Sequence, residues 1–124
     1  MKKIEQTLLS MFRSRNNFKY GVDKISVDDE TKSIFYYNYG YLVFAKTIKA
    51  DNKEIVYFCL PSFDGYLSNT TKSRVNTFLY EYGFCIQQKN YKYFCNDIDV
   101  KLDTIYFINK NDDGKYYIDG GKLC

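Results

Sequence analysis

The sequence predicts a single α+β domain, with an antiparallel sheet of about six to eight short strands and an N-terminal and a central helix packed on it. Three observations carry this expectation. Two segments, at 2–16 and 66–83, space their apolar residues with a helical period, and most of the remainder alternates with period two between turn-forming clusters. The chain has 124 residues, 45% hydrophobic and 19% aromatic, which is enough for one core and short for two. Tyrosine dominates the aromatics, with 14 Tyr against 10 Phe and no Trp, as suits half-buried strand positions where the ring packs and the hydroxyl stays wet.

Ile4, Leu8, Leu9 and Phe12, with Met11 beside them, make an i, i+4, i+5, i+8 stripe on the first helix, and Asn16-Asn17 ends it. From Phe18 the period becomes two. Residues 24–38 form a hairpin about the polar turn Asp28–Lys32. After the break at Tyr39-Gly40 a strand runs from Tyr41 to Ala50, and Glu54–Leu60 returns until Pro61, which cannot donate to a ladder, stops it. Ser68, Asn69, Thr70 and Thr71 are candidate N-caps of the central helix. Val75, Phe78, Leu79 and Tyr82 form its apolar face, and Gly83 suits a left-handed C′ position. Phe84–Gln88 and Tyr91–Cys95 read as a hairpin with Lys89-Asn90 as its loop, Asn96–Leu102 as a loop, and Thr104–Ile108 with Lys115–Ile118 as a last strand pair. Asp119–Cys124 reads as a frayed tail.

Composition excludes several chemistries. There is no histidine, so the commonest neutral-pH base, the commonest zinc ligand and every Ser-His or Cys-His nucleophile pair are missing. Cys59, Cys85, Cys95 and Cys124 form no Cys-x-x-Cys motif and are expected to be reduced, with Cys85 and Cys95 the pair to test. Asp97, Asp99 and Asp103 lack the glycine and terminal glutamate of a calcium loop, and no glycine-rich phosphate loop is present. The expectation is a protein that is not an enzyme and uses no metal or cofactor. Without a signal peptide or a long apolar run it is expected in the cytoplasm, with no membrane partner.

Binding is what these exclusions leave. The net charge is +3, with a basic first segment and, from Asp97 onward, six Asp against four Lys. The start of the central helix gathers Ser68, Thr70, Thr71, Lys72, Ser73, Arg74 and Asn76, a combination of hydroxyls, cations and free N–H groups suited to an anion or a partner's carboxylate. A second reading is nucleic-acid contact through Lys2, Lys3, Arg13 and Arg15 of the first helix, through Lys72 and Arg74, and through Lys89, Tyr91, Lys92 and Tyr93, where Tyr could stack bases and Lys neutralise phosphates. The oligomeric state is open, although exposed sheet edges invite pairing.

The stretch Tyr66-x-Ser68-x-Thr70-Thr71-x-Ser73-Arg74-x-Asn76-x-Phe78 resembles a helix motif of small bacteriophage and mobile-element proteins. The resemblance spans roughly residues 39–95, from the strand Tyr41–Ala45 to the hairpin Ile86–Phe94. This chain carries Tyr where Trp is usual in that hairpin and has no His after Arg74. The resemblance implies a phage origin and carries over no established activity. By analogy it implies a non-enzymatic protein that binds a host protein or nucleoprotein complex, such as an anti-CRISPR or anti-restriction inhibitor of a defence nuclease.

Overall fold

Period-two sequence builds most of the molecule. In the computed structural model, which describes residues 1–123, the chain runs α1 (Lys3–Arg13), β1 (Phe18–Tyr20), β2 (Asp23–Asp28), β3 (Ser33–Asn38), β4 (Tyr41–Ile48), β5 (Glu54–Cys59), α2 (Asn69–Leu79), a 3₁₀ turn (Tyr80–Tyr82), β6 (Ile86–Lys89), β7 (Lys92–Cys95), β8 (Ile98–Val100), β9 (Thr104–Lys110) and β10 (Tyr116–Leu123). The α+β class is as expected, but the ten strands form two sheets. Seven lie in the order β1-β2-β3-β4-β5-β9-β10 and three in the order β6-β7-β8.

The single sheet expected from the sequence is corrected by where α2 sits. Thr71 and every residue from Arg74 to Leu79 are buried, so α2 needs cover on both sides. The large sheet covers one side, and the small sheet meets the other through Asn76 and Ile86. The additional strands are short or glycine-rich. β1 and β8 have three residues each, too few for an alternation to show. The tail expected from Asp119 onward instead continues strand β10 as far as Leu123, paired with β9 through a bulge between Gly120 and Lys122. Gly120 is required there, because its φ is +124° and a Cβ would lie 3.0 Å from the Ile105 carbonyl oxygen. Cys124 lies outside the described residues.

One face of the large sheet carries the core. Ile25, Ile34, Tyr36, Phe44, Val56, Phe58, Tyr106 and Ile108 point to it and are buried. Leu8 and Phe12 of α1 and Val75, Phe78 and Leu79 of α2 close over them. The Phe78 ring lies 5.0 Å from Phe12, 4.8 Å from Tyr36 and 5.1 Å from Phe44, a geometry in which aromatic pairs attract beyond simple area burial. Helix α2 passes at Tyr80 into the 3₁₀ turn, which ends where Gly83 turns left-handed at φ +83°.

The small hairpin differs from its expected register. Its loop is Asn90-Tyr91, with Lys89 opposite Lys92 and Ile86 opposite Cys95. Both loop residues have positive φ, at 52° and 63°, which matches the type I′ turn that sheet twist favours. Cys85 and Cys95 are free thiols, with burial pushing the Cys95 thiol up to about 12. Cys59 is in a disulfide, which corrects the expectation of reduced thiols at that position.

Candidate functional site

The polar cluster at the start of α2 folds largely inward. Ser68 caps the helix, its Oγ accepting from the Thr71 N–H at 3.0 Å and sharing a hydrogen bond with Thr71 Oγ1 at 2.7 Å. The Thr71 hydroxyl donates to Asn38 Oδ1 at 2.7 Å. Asn38 Nδ2 in turn donates to Asp23 Oδ1 at 3.0 Å and to the Tyr36 hydroxyl at 3.1 Å, and that hydroxyl donates to Asp23. Arg74 joins this chain to α1, with Nε 3.2 Å from Asp23 Oδ1 and Nη1 3.1 Å from Glu5 Oε2. Ser73 donates to the same Glu5 carboxylate. Among the described residues no buried side-chain nitrogen or oxygen lacks a partner.

Electrostatics fits a closed junction. Burial pushes the Glu5 carboxyl up. Hydrogen bonds from Ser73, the Lys2 backbone N–H and Arg74 outweigh that effect and hold it below the usual carboxylate range. Burial, and then the Asp23 carboxylate, push the Tyr36 hydroxyl well above its ordinary value, so it remains a donor. Asn76 grips the small sheet, with Nδ2 donating to the Ile86 carbonyl at 3.1 Å and Oδ1 accepting from the Ile86 N–H at 2.6 Å. Arg74 is 9% exposed and Thr71 fully buried, so both are engaged inside the chain. Thr70 and Lys72 remain half-exposed.

The basic residues do not converge. Lys2 and Lys3 are exposed at the start of α1, and Arg13 pairs with Glu81 at 2.7 Å. Arg15 is half-exposed past the helix end. Lys89 and Lys92 face solvent across the hairpin and flank Tyr91, which is 96% exposed. Tyr93 is buried, its hydroxyl accepting from the Leu67 N–H at 3.0 Å. That bond ties the hairpin to the loop before α2.

This loop belongs to a feature that sequence reasoning missed. Phe63 and Tyr66 bridge each other around Asp64-Gly65, with φ of 53° and 89°. Asn38 and Tyr41 pair around Tyr39-Gly40, with φ of 52° and 80°. The two turns meet at one end of the large sheet. There the Phe63 ring takes edge contacts from Tyr39 at 5.4 Å and Tyr41 at 5.3 Å. Tyr39, Tyr41 and Tyr66 stay about half exposed, at 47%, 48% and 58%. A bulky residue at positive φ is uncommon, because its Cβ crowds the backbone, yet Tyr39 holds one beside Gly40. The signal was available in Asn38-Tyr-Gly-Tyr41, where a two-residue turn between strands displays its side chains outward.

Among the described residues no three His, Cys, Asp or Glu side chains gather as a metal site, and no helix is long and apolar enough to cross a membrane. Compared with known proteins, residues 1–118 match the family model described as Kyanoviridae Gp96 protein. No curated protein and no solved structure matches the chain. The chain belongs to the Kyanoviridae Gp96 family, a family of phage proteins.

Proposed function

We propose that this phage protein acts by binding a host protein through the tyrosine-rich rim formed by Tyr39, Tyr41, Phe63 and Tyr66, without catalysis of its own. The observation that carries this reading is the convergence of exposed aromatic rings on two tight turns at one end of a rigid sheet. Tyrosine on rigid turns offers large amphipathic contact area at low conformational cost. Aromatic anchors of this kind dominate binding energy in protein interfaces. The charges closest along the chain favour protein over nucleic acid. Asp64 sits in the rim loop, and Asp103 accepts from Ser62, next to Phe63, at 2.9 Å and 2.6 Å, so two carboxylates stand at the rim loop and would repel phosphates.

A host defence nuclease, blocked in anti-CRISPR or anti-restriction fashion, is the partner class suggested by analogy with small phage proteins that lack catalytic motifs. The test is capture from host lysate on immobilised protein, comparing the wild type with a Tyr41→Ala/Tyr66→Ala variant. A captured protein that disappears with the variant supports the reading. Equal capture by a folded variant sinks it.

One observation favours a second reading. Tyr91 stands fully out at a hairpin tip between Lys89 and Lys92, and this arrangement can stack a base while neutralising phosphates. Like charges directly opposite on paired strands cost stability, so an anion between them would relieve that repulsion. Gel shift of single-stranded DNA and RNA across a salt series tests it. Affinity should fall steeply with salt and be lost in Lys89→Ala/Lys92→Ala, and absence of binding at about 50 mM salt removes it.

A further inference from the structure

We propose that the uncovered face of the large sheet is a self-association surface, on which a second copy of this chain packs face to face about a two-fold axis running along the strands between β4 and β5. Both helices contribute their apolar residues to the opposite face, and the small sheet packs behind α2. The face left over is not polar, as a solvated antiparallel face should be. Its half-buried residues include Phe35, Tyr37, Tyr57 and Phe107. Their rings pair along the surface, Phe35 with Tyr37 at 6.4 Å and Tyr57 with Phe107 at 5.7 Å.

The pattern of that face selects a second copy over an arbitrary partner. Strand register sets one row straight across the sheet, Ser26–Phe35–Ala45–Tyr57–Phe107–Asp119. A two-fold axis between β4 and β5 folds this row onto itself. Phe35 of one copy then meets Phe107 of the other, the large Tyr57 lies over the small Ala45, which its own neighbours already cover, and the Ser26 hydroxyl faces the Asp119 carboxylate. Lys24, two residues along β2 from Ser26 and on the same face, brings a cation to that carboxylate; within its own chain it lies over the Tyr37 ring at 5.6 Å. In the next row Thr47 pairs with Ile55 across the same axis, so the match extends along the strands. An isologous interface needs such self-complementarity, and sheets packed face to face hold their strands within about 30° of parallel, which preserves it at the centre.

The size is also sufficient. The six strands that overlap, each about 4.8 Å wide and about 20 Å long, give roughly 600 Å² per copy, at the lower edge of specific interfaces, which bury about 600–1,000 Å² per partner.

Sedimentation of the full chain over a concentration series tests this. The wild type should pass from 14.7 kDa to twice that mass as concentration rises. Tyr57→Lys and Phe107→Lys place a charge on half-exposed positions whose long side chains can reach solvent. Each should stay monomeric at concentrations where the wild type is dimeric, with unchanged circular dichroism and melting. Mixing Phe35→Cys with Phe107→Cys copies should give a disulfide-linked dimer well above the yield of either alone. A wild type that remains a monomer throughout overturns the proposal, also when this face is found to capture a host protein or nucleic acid instead. So does a dimer that survives both lysine variants, or crosslinking equally strong in each cysteine variant alone.

Discussion

Arg74 and Tyr39 stand at opposite ends of one principle. Arg74, with Glu5, Asp23, Thr71, Asn38 and Tyr36, forms a polar junction sealed inside the molecule. Tyr39, with Tyr41, Phe63 and Tyr66, forms an aromatic rim open to solvent. Residues that usually face water are buried at the first, and residues that usually help build a core are displayed at the second. A buried charge cluster persists only when its partners are fixed, so the junction joins α1, β2, β3 and α2 into one body. An exposed ring on a positive-φ turn gains little for folding, and that is the reason to look for its use in binding.

The largest effect should come from opening the junction. Arg74→Ala leaves two buried carboxylates without their cation and should destabilise by about 3–5 kcal/mol, measured by urea unfolding. Loss of less than about 1 kcal/mol would mean that the pairing is a surface feature. Thr71→Ala removes the donor to Asn38 and the hydroxyl contact with Ser68, and should cost about 1–3 kcal/mol by the same measurement.

Acid should act on the junction through Glu5. Its folded carboxyl titrates below the ordinary value, so its contribution is complete above the unfolded value of about 4.3 and is lost as pH falls through the lower folded value. Glu5→Gln, less stable at neutral pH, should show a shallower loss of stability below about pH 4 than the wild type. Parallel curves would remove Glu5 from the account. The smallest stability effect should be at the rim. Tyr39→Asn relieves a left-handed backbone position but gives up the ring contact with Phe63, leaving stability within about 1 kcal/mol of the wild type.

These two regions differ in how far sequence reveals them. The helix of residues 69–79 was legible because Val75, Phe78 and Leu79 keep a helical period and Ser68 and Gly83 mark its surroundings. Strands β2 to β5 were legible from alternation and from Pro61. The role of Arg74 was not, because Glu5 and Asp23 lie 69 and 51 residues away in the chain. A cation at a helix start looks the same whether it faces an anion in solvent or two carboxylates brought in by the fold. Tyr93 shows the same limit, since its place in a Tyr/Lys alternation gives no hint of the Leu67 N–H that its hydroxyl accepts from. The rim is hidden because Tyr39-Gly40 and Asp64-Gly65 each signal a chain reversal and not that the two meet, and the contact between them spans more than twenty residues of chain.

The central claim is that folding rests on the junction and recognition on the rim. Its most direct test is quantitative capture from host lysate by two variants side by side, Tyr39→Asn/Tyr66→Ala at the rim and Thr70→Ala/Lys72→Ala at the exposed side of the helix start. The rim variant should lose the captured protein while melting within a few degrees of the wild type, and the helix variant should retain it. Capture that survives the rim variant and disappears with the helix variant would contradict the account and return the binding site to the start of α2.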